Sequence, residues 1–224
     1  MNTRDLRIGS DPAHDAGTEP AWRVLSRGRS YTYVLPCREM DCLKVGFTRD
    51  PLARLRALHA RYYDFFDLDR GALVEVEQVG DARALESRLK RALADQRASE
   101  PLVVRSRAGG KREWFRGASA QAIDLLQESA VREGFRLHAP LSTWVRERFI
   151  ERRDILFGWS QQTLEWIEFA RCNAEAGADR KAVRALADVL DACTAVGIEL
   201  ADFVPEAVAR WQCESRSSRL PLGG

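Results

Sequence analysis

Among the side chains of this sequence that could do chemistry are the phenol of Tyr33, the amine of Lys44, the guanidinium of Arg54 and the carboxylate of Glu86. A phenol and an amine both titrate near pH 10 in water. Either becomes a proton acceptor near neutral pH only where its surroundings lower that value. A guanidinium carries a permanent charge on a planar fork that matches phosphate oxygens. Each residue also has a plainer reading. Arg54 is equally a surface arginine whose stem covers apolar area, and Glu86 is equally the i,i+4 partner of Lys90. A basic cluster further on, Arg105, Arg107, Lys111 and Arg112, either grips a nucleic-acid backbone or keeps an edge strand soluble.

The elements that must position these groups start at Ser30. In SYTYVLP and CLKVGFT, β-type residues flank a polar turn, which predicts a hairpin. Side chains alternate across a strand, so Val34, Leu43, Val45 and Phe47 share an apolar face. Tyr33 and Lys44 fall on the other face, which is expected to present chemistry. Asp50-Pro51 then reads as an N-cap followed by a first helical residue. The helix so begun buries Leu52, Leu55, Leu58 and Tyr62, with Arg54 at the edge of that stripe. ALVEVEQV predicts a strand, and Asp81 is expected to cap a second helix with Leu85, Leu89 and Leu93 inward. Glu86 lies on its flank. PLVVRSRAGGKREWF predicts a second hairpin turning at AGGK, with Glu113-Trp114-Phe115 as a structural anchor. A helix over ASAQAIDLLQESAVREG follows, with Ile123, Leu126 and Ala130 inward.

This stretch, roughly Ser30 to Gln127, resembles the GIY-YIG nuclease superfamily, in particular its phage and bacterial branch with a KIG-x-T second motif. YTYVL supplies the first motif with Tyr33, and KVGFT the second, with Lys44 in the tyrosine's place and Gly46 as its glycine. Arg54 stands where that family keeps its helix arginine. Leu58 replaces the histidine or tyrosine usual one turn later. ALESRLKRAL resembles the glutamate helix, and REWF the closing strand. The resemblance implies catalysis by Tyr33, Lys44, Arg54 and Glu86, with Glu86 the ligand of one Mg²⁺ (or Mn²⁺) that polarises a DNA phosphate. Whether Tyr33 or Lys44 is the base stays open at this stage.

From Pro140 onward the pattern is helical, with candidate helices STWVRERFIERRDIL, QQTLEWIEFARCNAEAG, DRKAVRALADVLDACTAVG and VPEAVARW. Trp144, Trp159 and Trp166 read as core or interface residues rather than base-stacking platforms. The expected fold is therefore α+β: a small GIY-YIG-like sheet flanked by helices, then an all-α C-terminal region. Expected boundaries are 1–26 for a flexible lead-in, 27–137 for the nuclease-like domain, 138–214 for the helices and 215–224 for a disordered tail.

Charge is unevenly spread. Between Arg27 and Arg136 there are 21 Lys/Arg against 16 Asp/Glu, whereas from Leu137 onward there are 11 against 13. The positive excess falls where phosphate contact is expected. Five irregularly spaced cysteines argue against a disulfide framework and for a reducing cytoplasm. Cys37 and Cys42 are either free thiols or half of a zinc site. No apolar run approaches a membrane span. The expected activity is metal-dependent hydrolysis of DNA, and the alternative is an inactive DNA-binding or protein-interaction module. The C-terminal helices are expected to join a second copy or another protein.

Overall fold

A computed structural model describes residues 28–104, 110, 113–173 and 178–217. These residues cluster into two compact units. One runs up to Glu151 and includes Ala192–Ile198; the other holds Arg152–Asp191 and the residues from Glu199 onward.

The first unit is built on a five-stranded sheet of order β4-β2-β1-β3-β5, with every pairing antiparallel. The expected hairpin forms as β1 (Ser30–Pro36) and β2 (Cys42–Thr48). Its register sets Tyr33 opposite Gly46 and Val34 opposite Val45. Helix α1 (Pro51–Leu58) starts as its sequence dictates, with Asp50 accepting from the Ala53 amide at 3.0 Å and Pro51 in the first turn. It ends at Leu58, so Tyr62, expected on its stripe, instead opens a separate short helix α2 (Tyr62–Phe65) and is buried there.

Strand β3 (Ala72–Val76) is shorter than its apolar alternation, because helix α3 (Val79–Ala92) begins earlier than expected. Ala82 N closes the first turn on Gln78 O at 3.3 Å, which leaves Asp81 inside the helix rather than at its cap. The expected strand at PLVV is absent: Val104 N turns back to Pro101 O at 3.0 Å, and Leu102 and Val103 are exposed. Strand β4 (Trp114–Arg116) pairs with β2 over Cys42–Lys44. The AGGK turn falls largely outside the described residues.

Helix α4 (Ser119–Glu133) ends at Gly134, which takes the left-handed conformation with φ 69°, as a glycine cap readily does. A fifth strand, β5 (Arg136–His138), was not expected from the sequence and pairs with β3. Helix α5 (Leu141–Ile150) follows.

One sheet face carries Val34, Leu43, Val45, Ala72, Val74, Val76 and Phe115. It packs on Ala82, Leu85, Leu89 and Leu93 of α3 and Ala122, Leu126 and Ala130 of α4. The other face, expected to present chemistry, is covered: Tyr31, Tyr33, Leu35 and Lys44 on it are all buried. Aromatic side chains cover it. Trp144 of α5 meets Tyr31 edge-on at 5.7 Å, and Phe66 stacks on Trp114 at 6.5 Å.

The helix boundary expected near Gly158 falls at Glu151–Arg152, where the second unit starts. Helix α6 (Arg153–Cys172) therefore joins two stretches expected to be separate. Helices α7 (Ala178–Ala195) and α8 (Glu206–Ser217) complete it. Asp191 ties them together, accepting from Gln212 Nε2 at 2.6 Å and from Arg216 Nη2 at 2.7 Å. The architecture as a whole is α+β, a sheet with helices followed by a helical region.

Candidate functional site

Gly46 explains how Tyr33 comes to face a cation. The two residues are cross-strand partners. A Cβ on Gly46 would collide with the Tyr33 hydroxyl and lie 2.6 Å from its Cζ. A bare α-carbon lets the phenol lie flat along β2 and reach α1, where Arg54 Nε donates to its oxygen at 3.0 Å. Arg54 is half-buried at the edge of the apolar stripe of α1, as its helical position predicts. Leu58 is fully buried, and His59 stacks on Phe65 at 4.6 Å, away from this pair.

Lys44 lies on the same face and is 0% exposed. Its Nζ is 5.4 Å from the centre of the Trp114 ring, its cross-strand partner, and 2.5 Å from Glu113 Oε2. A buried ammonium with one carboxylate partner and an aromatic face is paired rather than stranded. Glu113 also approaches Lys90 Nζ, at 3.9 Å through Oε1, and Lys90 in turn meets Glu86 Oε1 at 3.1 Å. Glu86 is 6% exposed, while Lys90 and Glu113 each keep about a quarter of their side-chain surface.

The four expected residues therefore fall in two groups, the pair Tyr33–Arg54 and the chain of four Lys44–Glu113–Lys90–Glu86. The charges of Arg54, Glu86 and Glu113 all act on both Tyr33 and Lys44. Glu113 was read from the sequence as part of a structural anchor. Its partner lies in a different strand, and no local periodicity links the two. Arg105, Arg107, Lys111 and Arg112 fall outside the described residues.

Electrostatics separates the phenol from the amine. Burial pushes Tyr33 up to about 12, against the downward pull of Arg54, so the phenol keeps its proton at neutral pH. Burial brings Lys44 down to about 8, against the upward pull of the Glu113 hydrogen bond and charge. Near neutral pH Lys44 is thus the group that readily exchanges a proton.

A hard divalent cation takes oxygen ligands, and Glu86 and Glu113 offer only oxygen. That chemistry fits Mg²⁺ at Glu86, provided the Lys90 ammonium gives up its place beside the carboxylate. No group of three or more acidic, His or Cys side chains suited to a metal occurs among the described residues. All five cysteines are free, Cys37 and Cys42 are buried, and burial pushes the Cys37 thiol up to about 12.

Comparison with family models gives a match over less than half of the chain. The T5orf172 domain matches residues 30–130. The GIY-YIG assignment is thereby corrected, since the matching family is a different one. The motifs behind that assignment owe much to packing: a strand tyrosine over a strand glycine needs both residues whatever family they sit in. The T5orf172-like stretch runs from β1 into α4 and so contains every residue of both groups. Comparison with curated proteins and with solved structures gives no match. No described helix is long and apolar enough to cross a membrane.

Proposed function

We propose that the T5orf172-like unit is a metal-dependent endonuclease that hydrolyses DNA phosphodiester bonds. The observation that carries this reading is that Arg54 and Glu86, from two helices, lie close enough for both charges to act on the Lys44 amine of β2. Arg54 would hold the phosphate with the part of its guanidinium not given to Tyr33. Lys44, brought down to about 8, would take a proton from water. Tyr33, still a phenol, would orient Arg54 by accepting from its Nε. Glu86 would hold Mg²⁺ (or Mn²⁺), which when bound supplies charge to a phosphate oxygen. The partner would be DNA, whose backbone suits the basic excess of Arg27–Arg136.

The test is conversion of supercoiled plasmid to nicked or linear form by the full chain. Nicking should need Mg²⁺ or Mn²⁺, stop with EDTA and fall at least a hundredfold in Glu86→Gln. Metal-independent nicking, or a Glu86→Gln variant as fast as wild type, would sink the assignment.

One observation favours a second reading. Lys90 sits between Glu86 and Glu113, so the cluster is neutralised by its own side chains. A DNA-binding module without catalysis would look like this. It would bind DNA with strong salt dependence and leave plasmid intact with every divalent ion tried. For the second unit we infer a protein partner or a second copy, because α6 exposes Ile155, Phe157 and Phe169.

A further inference from the structure

Glu113 is the one acidic side chain in contact with Lys44 among the described residues, and the backbone holds it there. Its carbonyl accepts from Val45 N at 3.0 Å, which locks the residue beside β2 just ahead of β4. From that anchor one carboxylate oxygen reaches Lys44 Nζ at 2.5 Å and the other lies 3.9 Å from Lys90 Nζ. Gly110 closes over the pair with φ 60°. A Cβ there would collide with the Glu113 carboxylate and come within 3.2 Å of Lys44 Nζ. The space that a side chain would fill is the space the ion pair occupies.

Resting on the hydrolytic reading above, we propose that Glu113 is a positioning residue that aims the Lys44 amine and governs its charge. A buried ammonium without its counter-ion is costly. Lys44 therefore keeps its proton while the carboxylate faces it, and gives it up more readily as the carboxylate turns toward Lys90. The other groups acting on Lys44 are Arg54, which favours loss of the proton, and Glu86, which favours its retention. Tyr33 stays neutral beside them, and Lys90 competes for the same carboxylate. Glu113 is the group in direct contact, so its removal has the largest effect.

The experiment follows Lys44 itself, by NMR of the full chain labelled with ¹³C at lysine Cε, the resonance assigned by its loss in Lys44→Met. In Glu113→Gln the Lys44 midpoint should fall by about one pH unit or more, and Glu113→Asp should restore most of it. Gly110→Ala leaves both ionising groups chemically intact but crowds the carboxylate. It should move the midpoint the same way, which keeps the test open if the glutamine variant folds poorly. The rising limb of the plasmid-nicking pH profile should shift with the midpoint. An unchanged Lys44 midpoint in Glu113→Gln overturns the proposal, as does a shifted midpoint with an unshifted nicking profile. If wild type fails to nick while Glu113→Gln still moves the midpoint, hydrolysis is refuted and the hold of Glu113 on Lys44 stands.

Discussion

The two faces of the sheet are both buried, but by different means. Toward α3 and α4 the contacts are aliphatic: Val34, Leu43, Val45 and Val74 against Leu85, Leu89 and Leu126. Toward α1 and α5 the layer mixes aromatic rings with ionising groups, including Tyr33, Lys44, Trp114 and Trp144. The first face stabilises by removing apolar area from water. The second carries the cost of a buried amine and phenol, and offsets it with an ion pair, a hydrogen bond and an aromatic face. A fold that spends one face on stability can keep perturbed groups on the other.

The sharpest way to break that division is to truncate one residue on each side. Leu85→Ala should destabilise the unit by about 3 kcal/mol through lost burial and a residual cavity. Its folded fraction should nick plasmid at the wild-type rate. Arg54→Ala should lower nicking about a hundredfold and cost only about 1 kcal/mol, the hydrogen bond lost by the buried Tyr33 phenol. If Arg54→Ala costs as much stability as Leu85→Ala, the guanidinium is a structural brace for Tyr33 and the two faces do the same job.

The pH dependence of stability tests the polar face without any substrate. Lys44 drops from an ordinary 10.5 to about 8 on folding. Between those values the unfolded chain binds the proton and the folded chain does not, so stability contributed through Lys44 rises with pH across that window. Below about pH 8 both states are protonated and the contribution is flat. Relative to Lys44→Met, wild type should gain roughly 2 kcal/mol from pH 8 to 10.5, measured as the difference in unfolding free energy. Tyr33 acts in the opposite sense. Its rise from 10.0 to about 12 means the unfolded chain loses its proton first, and stability falls from about pH 10 upward. A flat difference between wild type and Lys44→Met would show that Lys44 is not desolvated.

The aliphatic face was legible in the sequence because periodicity reports it directly. Alternation named Val34, Leu43, Val45 and Phe47, and i+4 spacing named Leu85, Leu89 and Leu93. Helical geometry also set Arg54 at the border of its stripe. Alternation says which side chains share a face, but not whether something covers it. The groups that meet this face, Trp114 against Lys44, Phe66 against Trp114, Trp144 against Tyr31 and Arg54 against Tyr33, come from elements that sequence treats separately. Glu113 was missed for the same reason, since its meaning lies in a lysine 69 positions away. The three-residue strand Arg136–His138 is too short to show a period. The break at Glu151–Arg152 carries no glycine or proline to announce it.

One residue crosses the division. Thr32 lies on the aliphatic face, yet its hydroxyl donates to Ala82 O at 3.0 Å in a buried contact. Ala82 is one helical turn before Glu86, so this bond ties β1 to the helix that carries the candidate metal ligand. Thr32→Val keeps the shape and removes the donor, while Ala82 O retains its helical partner. The expected loss is about 1 kcal/mol in unfolding free energy, with nicking and the Lys44 midpoint unchanged. A substitution that costs little stability but lowers nicking would mean that Thr32 sets the position of α3 for the site. The aliphatic face would then do more than hold the unit together, and the separation between its two sides would be one of degree.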